Sequence, residues 1–146
     1  MMGITHALIG ITLCKTFGLA GNWFELALAG LFAVLPDIDH PNSFFGTVLR
    51  PISLWIYSKL GHRDYTHSAL FMTVCTGPML FTNYFLLAFT AMGSHLLSDA
   101  LTFTGIPLLI PFNKNFTIFG GPVRTGSWME TIICIICLGV IFFVKI

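Results

Sequence analysis

His95 and Asp99 stand four residues apart, an imidazole and a carboxylate in the pattern His-x-x-x-Asp. At helical spacing both side chains share one face, ~6 Å apart along the axis. A ring nitrogen and a carboxylate oxygen can then bind one metal ion; the plainer alternative is a hydrogen bond between helix neighbours. Asp37-x-Asp39-His40 lies in a polar stretch bracketed by Pro36 and Pro41. In an extended stretch residues two apart face opposite ways. The two aspartates are therefore expected to divide the work, one as a metal ligand and the other orienting an imidazole. An Asx-turn or helix cap is the alternative for either. His62 and His67 lie five residues apart across a loop-to-helix junction, with Thr66 as a candidate cap. Arg63, beside these histidines, suits an anionic substrate such as a phosphate, or serves as an ordinary basic anchor at a membrane surface. His6 follows Thr5 at the head of the first apolar segment.

Mixed imidazoles and carboxylates favour zinc, with manganese or iron as alternatives. The ligand pool is His6, Asp37, Asp39, His62, His67, His95 and Asp99. At roughly three protein ligands per catalytic ion it suffices for one or two Zn2+. Ser127-x-x-Glu130 offers Glu130 as a general base, and is equally a helix capping box. Arg124, just upstream, is expected to bind phosphate or a lipid headgroup together with Arg63 and Ser127, or to anchor the chain at the surface.

The composition sets where such a site would sit. Of 146 residues 55% are hydrophobic and only 9% charged, with mean hydropathy +0.86. Ordinary soluble domains carry about 25% charged residues. A net charge of +1 without a basic run argues against nucleic-acid binding. The expectation is one all-α domain over residues 1–146, an integral membrane bundle of about five short transmembrane helices. The apolar segments are residues 4–20, 23–35, two within 65–98 divided at Thr82 and Asn83, and 127–144. Residues 44–60, with Arg50 and Lys59, read as an interfacial or re-entrant piece broken at Pro51. Cys14, Cys75, Cys134 and Cys137 sit in apolar segments and read as packed hydrophobes.

Alternating the segments across a bilayer brings all five histidines, all four aspartates and Glu130 to one face. Lys15, Glu25 and Lys145 fall near the other. Ionisable groups in apolar surroundings are costly and mark functional sites by default. The site face also carries Arg50, Lys59, Arg63, Lys114 and Arg124, which by the positive-inside tendency makes it cytoplasmic.

Taken together, Thr5-His6, Leu35-Pro36-Asp37-Ile38-Asp39-His40-Pro41, His62-Arg63 with Thr66-His67-Ser68, His95-Leu96-Leu97-Ser98-Asp99 with Thr102 and Gly105, and the late Gly126-Ser127 with Glu130 form a recognisable set. It resembles the YdjM-like family, small bacterial inner-membrane proteins classed as metal-dependent hydrolases. That family is distantly similar to the zinc-dependent phospholipase C and P1-nuclease group, whose multinuclear zinc sites include a helix with His-x-x-x-Asp. The resemblance implies a multi-pass bacterial inner-membrane protein with one or two metal ions.

The expected activity is a zinc-dependent hydrolase that attacks a lipid headgroup with a metal-activated water, a phosphoester first. Asp37 or Glu130 is the expected proton acceptor, Asp39 an alternative, and Arg63 stabilises phosphoryl charge. A metal-dependent lipid amidase or esterase is the second choice. An ion transporter or metal sensor is the non-enzymatic one. The expected partners are a membrane lipid substrate and the bilayer itself; the residues set no oligomeric state.

Overall fold

The computed structural model describes residues 1–113, 116–117 and 121–144. Lys114 and Lys145, expected as basic anchors, lie outside them. The architecture is all-α. Among the described residues there is no strand, and a single parallel bridge joins Thr102 to Val123.

Helices α1 (Gly3–Thr16) and α2 (Trp23–Val34) are joined by a short turn. Gly18, at φ +69°, takes the left-handed conformation that closes α1. Asn22 opens α2 by accepting the N–H of Glu25 at 3.0 Å. The polar stretch after α2 is not extended, as its prolines suggested. It is a 3-10 turn, Leu35–Asp39, with Pro36 in its first turn, where a missing N–H costs nothing. The same reason places Pro51 at the start of α4 (Arg50–Leu60), after the short α3 (Phe44–Val48). The break in that segment falls at Leu49, not at Pro51. A second 3-10 turn, Tyr65–His67, leads into α5 (Ala69–Thr76). Helices α6 (Phe85–Ala100) and α7 (Trp128–Phe143) follow.

No helix among the described residues is long and apolar enough to cross a membrane. The longest, α6 and α7, have 16 residues each, ~24 Å against a hydrocarbon core of ~30 Å. The five continuous spans read from hydropathy are thus replaced by shorter helices. The causes are local: Gly18 stops the first, Pro36 turns the second, and Gly77 and Pro78 convert the third into a 3-10 turn after eight residues of α5.

Helices α1, α2 and α6 pack against one another around Cys14, Leu26, Ala29, Ala33, Leu87 and Ala91. Small side chains allow the close approach. A Cβ at Gly10 would lie 2.5 Å from that of Ala33. Helix α7 runs parallel to α1. Contacts step along both in register: Met2 N–H to Glu130, Thr5 to Cys134, and Lys15 Nζ to the Ile141 carbonyl at 2.7 Å. Lys15 thereby satisfies a carbonyl in the last turn of α7. The first turn of α1, the end of α2, the end of α6 and the start of α7 consequently lie at one end of the bundle.

Candidate metal centre

At that end His6, Asp39, His67, His95 and Asp99 are each fully buried. The 3.6-residue period puts His95 and Asp99 one turn apart on α6, with His95 Nε2 3.8 Å from Asp99 Oδ2. His67 arrives from the 3-10 turn, its Nε2 3.1 Å from His95 Nε2 and 3.4 Å from Asp99 Oδ2. Asp37 Oδ1 stands 3.7 Å from both ring nitrogens. His6 stacks on His95 with ring centroids 3.7 Å apart, and its Nε2 is 3.3 Å from Asp99 Oδ1.

The outer hydrogen bonds decide what these rings present inward. His95 Nδ1 lies 2.7 Å from the Ala33 carbonyl, which can only accept. Thr66 spends its hydroxyl hydrogen on Asp39 at 2.6 Å, so it accepts from His67 Nδ1 at 3.0 Å. Ser98 spends its own on the His95 carbonyl, so it accepts from His6 Nδ1 at 2.8 Å. In each neutral ring Nδ1 carries the hydrogen and Nε2 a lone pair aimed inward. Lone pairs of His67 and His95 thus face each other beside two carboxylates. Buried polar groups are normally satisfied, yet among the described residues His6 Nε2 and Asp99 Oδ2 have no hydrogen-bond partner. A proton shared between two rings would not satisfy that many acceptors. A divalent cation fits: ligands ~2.0–2.1 Å from zinc in a tetrahedron are ~3.3 Å apart, and the His67, His95 and Asp99 atoms are 3.1, 3.4 and 3.8 Å apart. A second set, His6, Asp37 and His95, also holds its ligand atoms within 4.8 Å of one another.

The two aspartates do divide their work, through a 3-10 turn whose three-residue period sends neighbours two apart in different directions. Asp37 faces the ring nitrogens. Asp39 faces away from them: Oδ1 accepts from His62 at 2.9 Å, and Oδ2 from the Arg63 N–H at 2.8 Å and from Thr66. Burial works to raise the Asp39 carboxyl, but the His62 hydrogen bond, the nearby His67 imidazole and the Thr66 hydrogen bond hold it below the ordinary carboxylate value. His62 and Asp39, expected as ligands, belong to neither set of three; they orient the residues that do. His40 lies against His62, ring centroids 5.0 Å apart.

Arg63 has φ +64°, a left-handed conformation rare for a residue with a side chain. The turn lets its N–H reach Asp39 while its guanidinium reaches Asp99 and the Thr104 hydroxyl. Nη2 lies 3.0 Å from each Asp99 oxygen and donates to Oδ1. The Met1 amine, at 2.7 Å, also meets Oδ1. Alongside lies a cavity of about 850 Å³ lined by Asp37, His62, Arg63, Thr104 and Arg124. The Thr102–Val123 bridge carries Arg124 there, stacked on Phe103 at 5.9 Å.

Glu130 does not close the capping box with Ser127: its oxygens accept the N–H groups of Met2 and Gly126. Ser127 heads α7 without a side-chain cap bond, and its hydroxyl has no partner among the described residues. Sequence reasoning passed over Ser98 as an orienting group. Its signal was a polar residue next to Asp99 on an apolar helix. The Ala33 carbonyl had no signal, since every residue carries one.

The chain matches the family described as YdjM inner membrane protein over residues 1–145. It is 36% identical over 124 residues to "Inner membrane protein YdjM" of Escherichia coli (strain K12), covering 78% of this chain and 63% of that protein. The same figures hold for "Inner membrane protein YdjM" of Shigella flexneri. Identity is 32% over 146 residues to "Uncharacterized protein YvsG" of Bacillus subtilis (strain 168), covering 91% of this chain and 87% of that one. The chain therefore spans a little under two thirds, 63%, of the length of the YdjM proteins it matches. No solved structure matches. The family match runs through every segment that builds the buried cluster, and the chain belongs to the YdjM inner membrane protein family.

Proposed function

We propose that this protein is a metal-dependent hydrolase of the inner membrane that cleaves a phosphoester at a lipid headgroup. The carrying observation is the inward convergence of His67 Nε2, His95 Nε2, Asp99 Oδ2 and Asp37 Oδ1 beside a cavity lined by two arginines. His67, His95 and Asp99 would hold a first zinc ion, and His6 with Asp37 and His95 a second or an alternative position. A zinc ion held there supplies Lewis acidity, polarising a phosphoryl oxygen and acidifying a water molecule.

The chain's own residues supply the rest. Arg63 and Arg124 reach the cavity from opposite connections and would bind the phosphoryl oxygens. Asp37 is the one member of the two ligand sets that also borders the cavity, so it is the candidate proton acceptor. Asp39, through Thr66 and His62, keeps the imidazoles aimed.

Membrane residence rests on the family, the low charge and the surface. Phe81, Phe142 and Phe143 are 94%, 88% and 88% exposed, and α4 buries only Ser53 while presenting Ile52, Leu54, Trp55 and Tyr57 outward. In our reading α1, α2, α6 and α7 sit in hydrocarbon as short helices, which a bilayer accommodates by thinning. Helices α3 and α4 lie in the interface. The positive charge at the site end supports a cytoplasmic orientation for it.

The test is elemental analysis of untagged protein with phosphate release from vesicles of phosphatidate, a lipid phosphomonoester whose single hydrolysis frees phosphate. Wild type should carry at least one zinc per chain and release phosphate, and His95→Ala and Asp99→Ala should lose both. Full zinc content in both variants would exclude the site. Zinc binding without turnover of any phosphoester would favour a metal sensor instead.

A further inference from the structure

The polar cavity does not end at its arginines. Its wall includes Gly3, Ile4 and Phe44. The same three residues border a second hollow of about 360 Å³, lined otherwise by Ala7, Ala27, Gly30, Leu31 and Val34. Every side chain of this second hollow is apolar. It is the groove between α1 and α2. Because α1 starts and α2 ends at the metal centre, Gly3, Val34 and Phe44 lie at its mouth, and Ala7 and Ala27 further along. The seven residues separating Ala27 from Val34 correspond to ~10 Å of helix. At the mouth a Cβ on Gly3 would meet nothing within 4 Å, so no side chain stands between the two hollows at that position.

An arginine-lined chamber that shares a wall with an apolar groove matches the two ends of one amphiphile. We infer that the α1–α2 groove is the subsite for the hydrocarbon chain of the substrate, whose phosphate lies between Arg63 and Arg124. The inference deepens the phosphoesterase reading and rests on it for the position of the phosphate. The occupant is an acyl or isoprenoid chain that enters from the surrounding hydrocarbon past Leu31 and Ala27. Its burial adds binding energy in proportion to chain length, until the groove is filled. The groove therefore selects phosphorylated amphiphiles over small soluble phosphoesters.

The test uses zinc-loaded full chain in lipid nanodiscs, with ethyl, hexyl and decyl phosphonates as probes that bind without being cleaved. Calorimetry should show affinity rising from ethyl to decyl by up to ~4-fold per methylene. Ala7→Leu enlarges a side chain that lines the groove and not the polar cavity. It should leave ethyl phosphonate binding within ~2-fold of wild type and cut the decyl preference by at least ~10-fold. Ala27→Phe, at the exposed far end, should preserve the hexyl gain and remove the further gain of decyl. Chain-length dependence unchanged in both variants would show simple partitioning into lipid and overturn the proposal. So would equal affinity of wild type for ethyl and decyl probes, or binding of decanol as tight as that of decyl phosphonate. These readouts are of binding alone. A groove that behaves as stated in a protein that releases no phosphate would defeat the hydrolase reading and leave the subsite standing.

Discussion

His67 Nε2 and His95 Nε2 face each other at 3.1 Å, each with its Nδ1 hydrogen committed outward, to Thr66 and to the Ala33 carbonyl. Twenty-eight residues separate them in the chain. Two imidazole lone pairs at that distance repel unless something positive lies between them, and Asp99 and Asp37 add negative charge to the same space. The arrangement makes sense as a ligand field, and the first prediction follows from it. His67→Ala should lower zinc content below one ion per chain and raise thermal stability in the presence of chelator, because it removes a repulsion that only a cation relieves. A melt with excess chelator checks the second half. Retention of one zinc per chain by His67→Ala would remove His67 from the ligand set.

Asp39 touches no candidate ion and orients the residues that do. Asp39→Asn keeps the shape but gives up one acceptor and the charge. Zinc affinity is expected to fall ~10–100-fold, the usual cost of losing an orienting partner, with stoichiometry unchanged at saturating zinc. Competition with a chromophoric chelator measures it. Loss of stoichiometry at saturation would make Asp39 a ligand after all.

Arg63 combines a left-handed backbone with a guanidinium fixed on Asp99. Arg63→Lys retains the charge without the planar fork. Phosphate release should drop ~100–1,000-fold, the scale of losing one aligned charge-stabilising donor, while zinc content is kept. Arg63→Gly should be as inactive and no less well folded, since glycine adopts that φ without strain. Steady-state kinetics with parallel zinc analysis separates these effects.

Glu130 holds the first turn of α7 to the start of α1 through two backbone N–H groups. Glu130→Gln leaves one oxygen for two donors. The expected result is a stability loss of ~1–3 kcal/mol with activity per folded molecule unchanged. A folded but inactive Glu130→Gln would restore its role as general base.

Gly10 is where α1 meets α2 and α6. Gly10→Ala sets a methyl 2.5 Å from the Ala33 Cβ, so the helices must part, at ~1–3 kcal/mol. Because the Ala33 carbonyl orients His95, zinc affinity should fall with stability. Adding Ala33→Gly should restore both, and a double-mutant cycle on melting temperature tests the coupling.

Much of the centre was legible in one dimension. His-x-x-x-Asp is read from helical period alone, since four residues complete about one turn whatever surrounds them. The gathering of His6, Asp37, His67, His95 and Asp99 at one end follows from counting apolar segments, because antiparallel neighbours alternate ends. The helices that bring them there are shorter than the apolar segments read from hydropathy. Window averages pass over Gly18, Pro36 and Pro78, whose backbone effects are local and ended the helices early.

What residue order could not state is which way each group points. Asp37 rather than Asp39 faces the rings because the turn is 3-10, a choice made by its attachment to α2. Glu130 ties the start of α7 to the start of α1 because Met2 and Gly126 offer two N–H groups at its oxygens. The tautomers of His6, His67 and His95 depend on a serine, a threonine and a backbone carbonyl, the serine and the carbonyl more than sixty residues away. Residue type and period set which chemistry is available along each element. Direction and partnership are properties of distances between elements, and only packing creates those.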